Sequence, residues 1–291
     1  MKRRVLFHTL LGAGCAVAAS PAIANPPKFR IGLTPVILAD QVAFLSRWGR
    51  YLSDWMDCQV SFIARETYQS ILELLSSGQI DAAWICGYPF VRFESELTLL
   101  NVPLYQGNST YQAYLIRPKT NAIFGTAAIK DWGDLRGKVL AYSDPLSNSG
   151  WLVAQAQLAL VGVAARDLKR SFFAHGHRNV AESVAARLAH AGFIDGYVWE
   201  TMRQQNMSAA NETEIVWKSE AFGFPPLVTK SRTTHPKREA LQQTLIAMSG
   251  DEAGRGLLRA LNLSGFTDGT PAMFDSIRRQ ARTVPDSGVY A

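Results

Sequence analysis

Short apolar runs alternate along this chain with longer segments in which apolar residues recur every three to four positions. The run from Phe29 to Leu33 is typical of a buried strand, and the stripe over residues 39–57 is typical of an amphipathic helix. Further strands or extended segments are predicted at residues 59–63, 82–85, 98–105, 111–117, 138–142, 171–173, 194–198, 215–219 and 225–229. Further helices are predicted from about 68 to 75, from 87, and at 149–161, 178–189, 237–248, 251–261 and 271–282.

Strand–helix alternation predicts parallel sheets that are covered by helices on both faces. The alternation occurs in two units, so we expect an α/β fold of two lobes joined by a two-strand hinge. The first lobe is predicted to comprise residues 25–116 and 218–291, and the second lobe residues 117–217. The last helices are expected to pack against the first lobe.

The first 24 residues have the features of a secretory signal peptide. Lys2-Arg3-Arg4 precede an apolar run from Val5 to Val17, and Ala22-Ile23-Ala24 supplies a cleavage site. Cleavage there removes three basic residues and halves the formal net charge of +6. After cleavage, no cluster of basic residues interleaved with aromatic residues remains in the sequence. This argues against nucleic acid as a partner. We therefore expect a secreted, periplasmic protein.

Two cysteines, Cys58 and Cys86, remain after that cleavage, and an oxidising compartment makes a disulfide the first interpretation. Cys58 precedes the strand at 59–63, and Cys86 follows the strand at 82–85. In a parallel sheet these positions lie at opposite edges, roughly 15 Å apart for strands of about five residues. A disulfide requires Cα atoms within about 7 Å. Both cysteines are therefore predicted to be free thiols.

The polar segment after the strand at 138–142 is the strongest candidate for a binding site. Ser147, Asn148 and Ser149 follow Asp144-Pro145 and open the helix at 149–161. The free N–H groups of a helix N-terminus, flanked by hydroxyl and amide side chains, form an anion site. The alternative is an ordinary N-cap, in which a serine satisfies the first turn and binds nothing.

The order and spacing of several motifs resemble those of a known family over most of the chain that follows the signal peptide. The motifs are Gly32-Leu33-Thr34-Pro35, Thr67-Tyr68, Ser76 to Trp84, Asp144 to Trp151, Gly176-His177 and Gly192 to Tyr197. Together they resemble the periplasmic phosphonate/phosphite-binding, PhnD-type solute-binding proteins. The resemblance implies a type 2 periplasmic binding protein fold, in which two hinged lobes close around a small tetrahedral oxyanion or its organic derivative.

The resemblance also implies roles for particular side chains. The segment Ser147 to Ser149 corresponds to the family's anion cradle, Tyr68 and Tyr111 to cleft tyrosines, and His177 to a hydrogen-bond donor. Neutral donors suit reversible binding of an oxyanion, because they leave no buried charge unpaired when the cleft opens. The alternatives are core packing for the tyrosines and a polar loop position for His177.

Two segments depart from the family's pattern. The chain has Trp199-Glu200 where many members carry Asp-Ser, and its loop Cys86-Gly87-Tyr88-Pro89 differs from the usual Gly-Pro. At an anion site Glu200 would repel the ligand unless its carboxylate is paired or binds a protonated ligand oxygen. The alternative interpretation is that Glu200 is a solvated carboxylate at a helix N-terminus. Arsenite-binding sensors that feed two-component systems form a branch of the family and carry a cysteine in this region. Cys86, beside Tyr88 at the ligand edge of the sheet, is thus either a ligand for As(III) or an inert thiol.

We expect a monomeric binding protein that uses no cofactor, no metal and no catalytic residues. The sequence contains no zinc-ligand spacing, no nucleophile elbow and no phosphate loop. The alternative, an enzyme, would pair Cys86 with His177 as nucleophile and base. Besides a small oxyanion, the expected partner is a membrane protein, either an ABC permease or the ectodomain of a sensor kinase.

Overall fold

The computed structural model describes residues 27–35, 42–119, 129–232 and 235–284, so the predicted signal peptide lies outside the described residues. The strands are β1 (Lys28–Leu33), β2 (Gln59–Ala64), β3 (Ala82–Trp84), β4 (Leu97–Leu104), β5 (Thr110–Pro118), β6 (Val139–Tyr142), β7 (Arg170–Phe173), β8 (Ala191–Asp195), β9 (Thr213–Gly223), β10 (Leu227–Lys230) and β11 (Gly265–Asp268). The helices are α1 (Val42–Met56), α2 (Tyr68–Ser76), α3 (Gly87–Arg92), α4 (Val153–Leu160), α5 (His177–Ala185), α6 (Gly196–Gln204), α7 (Ser208–Asn211), α8 (Arg238–Ala247), α9 (Glu252–Ala260) and α10 (Asp275–Ala281). Within the described ranges, no helix has the length and apolar character needed to cross a membrane.

The strands form two sheets, one in each lobe. The first sheet has the order β11-β4-β10-β3-β1-β2, and the second has the order β7-β6-β8-β5-β9. In each lobe consecutive βα units place three parallel strands at one side of the sheet: β1 pairs with β2 and β3, and β6 pairs with β7 and β8. Helices α8 and α9 pack against α1, and α10 packs against α3. The predicted α/β architecture of two lobes is confirmed.

Helix α1 shows how the apolar spacing builds the core of the first lobe. Its residues Phe44, Trp48, Leu52 and Met56 recur every four positions and are buried. Trp48 stacks on Phe62 with ring centroids 4.6 Å apart. Each such side chain contributes about 1.5–3 kcal/mol when it leaves water, so this stripe attaches α1 to the sheet.

Strand β8 ends three residues earlier than predicted, and the expected strand at 194–198 is wrong in its second half. The Asp195 carboxyl Oδ1 accepts the N–H groups of Tyr197 at 2.8 Å and Val198 at 3.4 Å. Asp195 is therefore the N-cap of α6, and this capping turns the chain from strand to helix at Gly196. The four-residue strand β11 was not predicted, since only Phe266 in it is a large apolar residue.

The structure also corrects the expected lobe boundaries, which cut through β5 after residue 116 and through β9 after residue 217. Both strands belong in full to the second sheet, where they pair antiparallel from Thr110↔Gly223 to Pro118↔Thr213. Splitting them between lobes would leave ladder N–H and C=O groups unpaired. The chain instead crosses between the sheets at residues 105–109 and 224–226.

Cys58 and Cys86 are buried free thiols. Cys58 precedes Gln59, which pairs with Lys28 at the start of β1, whereas Cys86 follows Trp84, which pairs with Leu33 at the end of β1. The two cysteines thus lie at opposite edges of the parallel sheet, and the prediction of free thiols is confirmed.

Candidate ligand site between the lobes

A buried group of polar side chains lies where the two lobes meet. We call it the interlobe cluster, and no member is more than 3% exposed. Its members are Tyr68, Cys86, Tyr111, Ser147, Asn148, Ser149, His177 and Asp195. Seven of the nine side chains that the sequence pointed to are therefore brought together.

The fold places most of the cluster at one kind of position, the carboxyl end of a parallel strand. Tyr68 opens α2 after β2, Cys86 is the N-cap residue of α3 after β3, and His177 opens α5 after β7. Asp195 ends β8, and the serines follow β6. Ligands of open α/β sheets bind at these strand ends.

The segment 148–152 forms a single π-helical turn before α4 begins. Ser147 is its N-cap, and the Ser147 Oγ accepts the N–H of Gly150 at 3.0 Å. A side chain at position 150 would place its Cβ 1.8 Å from the Ser143 Oγ, so only glycine fits there. Ser147 thus caps the turn, and the close packing around Gly150 holds the neighbouring hydroxyl and amide groups at the seam between the lobes.

His177 is held as a neutral imidazole in one tautomer. Its Nδ1 accepts the N–H of Asp195 at 3.0 Å, so the proton must reside on Nε2. Nε2 lies 3.3 Å from the Tyr68 phenol oxygen and 3.5 Å from the Ser147 Oγ. Burial lowers the pKa of His177 to about 3. The ring therefore presents an N–H donor to the cluster without adding charge.

The two cluster tyrosines also stay neutral. Burial raises the pKa of Tyr68 and the pKa of Tyr111 well above the usual value. The Tyr111 phenol oxygen accepts the side-chain N–H of Asn148 at 3.0 Å. Both phenols can donate to a ligand oxygen.

Cys86 contacts the opposite lobe through its sulfur. The Sγ accepts the backbone N–H of Asn148 at 3.3 Å, and the N–H of Tyr88 also donates to it. Burial raises the pKa of the Cys86 thiol to about 11, so the thiol is protonated at neutral pH.

Asp195 belongs to the cluster although it was not among the predicted site residues. Burial raises the pKa of its carboxyl group to about 8, which leaves the group mainly protonated at neutral pH. Oδ1 caps α6, while Oδ2 has no hydrogen-bond partner among the described residues. The signal that identifies it is the change from strand to helix at Asp195-Gly196, which the strand predicted at 194–198 concealed.

Several buried polar atoms at this seam lack a partner within the described part of the chain. They are the Ser143 Oγ, the Asn148 Oδ1, the Ser149 Oγ and the Asp195 Oδ2. An unsatisfied buried polar group costs about 1–3 kcal/mol. Their concentration at one place is the arrangement expected of groups that hydrogen-bond to a bound molecule.

Two expected site residues lie outside the cluster. The Tyr88 phenol is 3.5 Å from the Arg92 Nη1, so only the backbone N–H of Tyr88 reaches Cys86. Glu200 accepts the Tyr114 hydroxyl at 3.2 Å from its place on α6. Among the described residues, no group of three or more His, Cys, Asp or Glu side chains is arranged to hold a metal ion.

Comparison with known proteins agrees with this geometry. Residues 31–274 match the family model described as "ABC transporter, phosphonate, periplasmic substrate-binding protein". The chain is 28% identical over 176 residues to the phosphate-import protein PhnD of Mycolicibacterium smegmatis, a match that covers 56% of this chain. The chain spans 53% of the length of that relative.

Solved structures show the same fold at lower sequence identity. A binding protein component of an ABC phosphonate transporter from Pseudomonas aeruginosa aligns with a TM-score of 0.79 at 18% identity, over 88% of this chain and 86% of that chain. PhnD1 from Prochlorococcus marinus in complex with methylphosphonate aligns with a TM-score of 0.76 at 17% identity, over 89% and 98% respectively. The expected type 2 periplasmic binding protein fold is confirmed. With a family match across both lobes, the chain belongs to the periplasmic substrate-binding proteins of phosphonate ABC transporters.

Proposed function

We propose that this protein is a periplasmic solute-binding protein that captures a small phosphonate- or phosphite-like oxyanion between its lobes and presents it to an ABC permease. The observation that carries the proposal is a set of buried polar atoms at the seam, including the Ser149 Oγ and the Asp195 Oδ2, that find no partner in the described part of the chain. The family assignment supports delivery to a permease. An N-terminal signal peptide would supply export to the periplasm.

The chemistry of the interlobe cluster suits an oxyanion that is bound and released. His177 Nε2–H, two phenols, the serine hydroxyls and the protonated Asp195 carboxyl all donate without carrying charge. Hydrogen bonds to a charged acceptor are stronger than bonds between neutral groups, so several neutral donors can hold an anion. When the lobes open, none of these groups is left as an unpaired buried ion.

Ligand binding would act on the equilibrium between open and closed lobes. Tyr68 and Cys86 come from the first lobe, whereas His177 and the Ser147–Ser149 segment come from the second. A ligand that contacts both sets binds the closed form more tightly than the open form and shifts the population toward it. The membrane partner would then recognise the closed shape.

Calorimetry with phosphite, methylphosphonate, phosphate and sulfate tests the proposal. The double variant Ser147→Ala/Ser149→Ala should lose about 1–3 kcal/mol of binding free energy for each buried donor removed. Ser46→Ala, at an exposed serine on α1, is the matched control and should bind like the parent. Unchanged affinity in the double variant would remove these serines from the site, and no binding of any of the four anions would refute oxyanion capture.

A second candidate function follows from the position of Cys86. Its sulfur is buried in the interlobe cluster, 3.3 Å from the backbone N of Asn148, and sulfur is the ligand that a soft centre such as As(III) prefers. Arsenite, As(OH)3, would form one As–S bond while the thiol proton leaves with an arsenic hydroxyl group as water. The protein would then be a ligand-sensing partner of a sensor kinase.

Cys86→Ser separates the two candidates because serine keeps the size and polarity of the side chain but removes the soft ligand. For oxyanion capture, the variant should bind phosphite or methylphosphonate within a few-fold of the parent. For arsenite sensing, stabilisation by arsenite should disappear in the variant, a change of about 2.7 kcal/mol at a hundredfold excess over Kd. Thermal melting measures both outcomes, and a flat response of both proteins to all of these compounds would refute both candidates.

A further inference from the structure

Asp144 joins the two lobes directly. It follows β6 in the second lobe, and its Oδ2 accepts the backbone N–H of Tyr68 at 3.1 Å, which is the first N–H of α2 in the first lobe. Its Oδ1 accepts the N–H of Leu146 at 2.8 Å within its own loop. Asp144 is fully buried, so this contact lies inside the closed seam.

The hydrogen bonding of Asp144 differs from that of Asp195, the carboxyl group in the interlobe cluster. Both oxygens of Asp144 are occupied by N–H groups, whereas one oxygen of Asp195 has no partner among the described residues. The first N–H groups of a helix have no partner within the helix. In α2 the N-cap Thr67 serves Ser70, and the N–H of Tyr68 is instead satisfied from the other lobe.

We propose that Asp144 is a positioning residue that stabilises the closed lobes by capping α2 across the seam, in the absence as well as in the presence of ligand. When the lobes separate, the N–H of Tyr68 loses this acceptor. Asp144 thereby contributes part of the free energy that favours the closed lobes, and the ligand contributes the rest. The inference rests on the proposed closing of the two lobes, and it does not depend on which ligand binds.

Amide hydrogen exchange of ligand-free protein, followed residue by residue by NMR, tests the contact. The Tyr68 amide should be protected in the parent and should exchange at least about tenfold faster in Asp144→Ala, because alanine offers this N–H no acceptor. Asp251→Ala is the matched control. Asp251 caps α9 through Gly254 inside the first lobe, so this change should leave Tyr68 protection unaltered.

Exchange also separates the interlobe role from a local one. If Asp144 only orders its own loop, the Leu146 amide will exchange faster in Asp144→Ala while the Tyr68 amide will not, and the proposal is overturned. An unprotected Tyr68 amide in the ligand-free parent overturns it as well.

A mutant cycle at position 68 gives an independent test. Proline is favoured at the first position of a helix, and Thr67 already has the φ of −120° and ψ of 151° that precede a proline comfortably. Tyr68→Ala and Tyr68→Pro both remove the phenol, but only proline removes the N–H. Asp144→Ala should weaken methylphosphonate binding about tenfold in the Tyr68→Ala background and hardly at all in the Tyr68→Pro background.

Equal losses in the two backgrounds would show that Asp144 acts without the Tyr68 N–H and would overturn the proposal. If methylphosphonate does not bind the parent, the proposed ligand class fails while the exchange experiment still decides the role of Asp144. The two failures are therefore distinguishable.

Discussion

Acidification should destabilise the folded protein through His177. Its Nδ1 accepts the Asp195 N–H, and burial lowers its pKa to about 3, whereas a histidine in an unfolded chain titrates near 6.5. The stability that this group contributes is therefore fully present above about pH 6.5 and is lost as the pH falls toward 3. The loss is about 1.4 kcal/mol for each pH unit, or about 2 kcal/mol between pH 6.5 and pH 5.

Urea unfolding at pH 7.5 and pH 5 measures this contribution in the parent and in His177→Gln. Glutamine does not titrate, so the free energy of unfolding of the variant should fall by about 2 kcal/mol less between the two pH values than that of the parent. Ser147→Ala is the control, because it removes the hydroxyl 3.5 Å from Nε2 and leaves the imidazole in place. It should retain the pH dependence of the parent.

Asp195 makes the free energy of unfolding depend on pH in the opposite direction, and this effect cancels when the parent is compared with His177→Gln. Burial raises its pKa to about 8, so its contribution is present below the unfolded pKa of about 3.9 and is lost as the pH rises through 8. This change is common to the parent and to His177→Gln. Parallel pH profiles for these two proteins would refute the reasoning, since His177 would then be protonated as readily in the folded protein as in the unfolded chain.

Three further predictions concern packing, thiols and the edge of the site. Gly150→Ala should lower the free energy of unfolding in urea by about 1–3 kcal/mol, because the alanine Cβ would lie 1.8 Å from the Ser143 Oγ. Adding Ser143→Gly should restore part of the loss, whereas a Gly150→Ala variant as stable as the parent would contradict the packing argument. Unfolding without reductant, in protein that has lost the predicted signal peptide and with it Cys15, should expose two reagent-reactive thiols, Cys58 and Cys86. A bridge between them in mass spectrometry would contradict their placement at opposite sheet edges. Glu200→Gln should leave oxyanion affinity in calorimetry within about twofold, since Glu200 bonds to Tyr114 outside the interlobe cluster; a larger change would place Glu200 at the ligand.

The apolar periodicity was sufficient to predict the elements because it reflects local geometry. Helix α1 and the parallel strands of each sheet lie close to their predicted positions, since a strand or helix that buries one face must repeat at its own period. The predicted end of β8 was wrong because the apolar residues Tyr197 and Val198 extend the apolar run beyond the strand. The strand ends where backbone N–H groups bond to the Asp195 side chain, and such capping bonds leave no trace in the apolar pattern.

The candidate site, too, was predicted from local patterns only in part. Ser147, Asn148 and Ser149 could be identified because helix-opening polar residues after a buried strand are a local pattern, and the family resemblance added Tyr68, Tyr111 and His177. Tyr88 lies outside the cluster that its neighbour Cys86 joins, because the helical geometry of α3 directs the Tyr88 phenol toward Arg92.

By itself, the sequence determined the α/β class, the two-lobed organisation, the free thiols and the polar segments at the strand ends, because these follow from local periodicity and the order of strands. Only the tertiary structure decided that β5 and β9 belong to one sheet, that one oxygen of Asp195 has no partner among the described residues, and that Asp144 caps α2 from the opposite lobe. These features depend on contacts between residues far apart in the chain. The physical reason is that burial and hydrogen bonding across a seam depend on how two lobes come together, and no local pattern of residues records that arrangement.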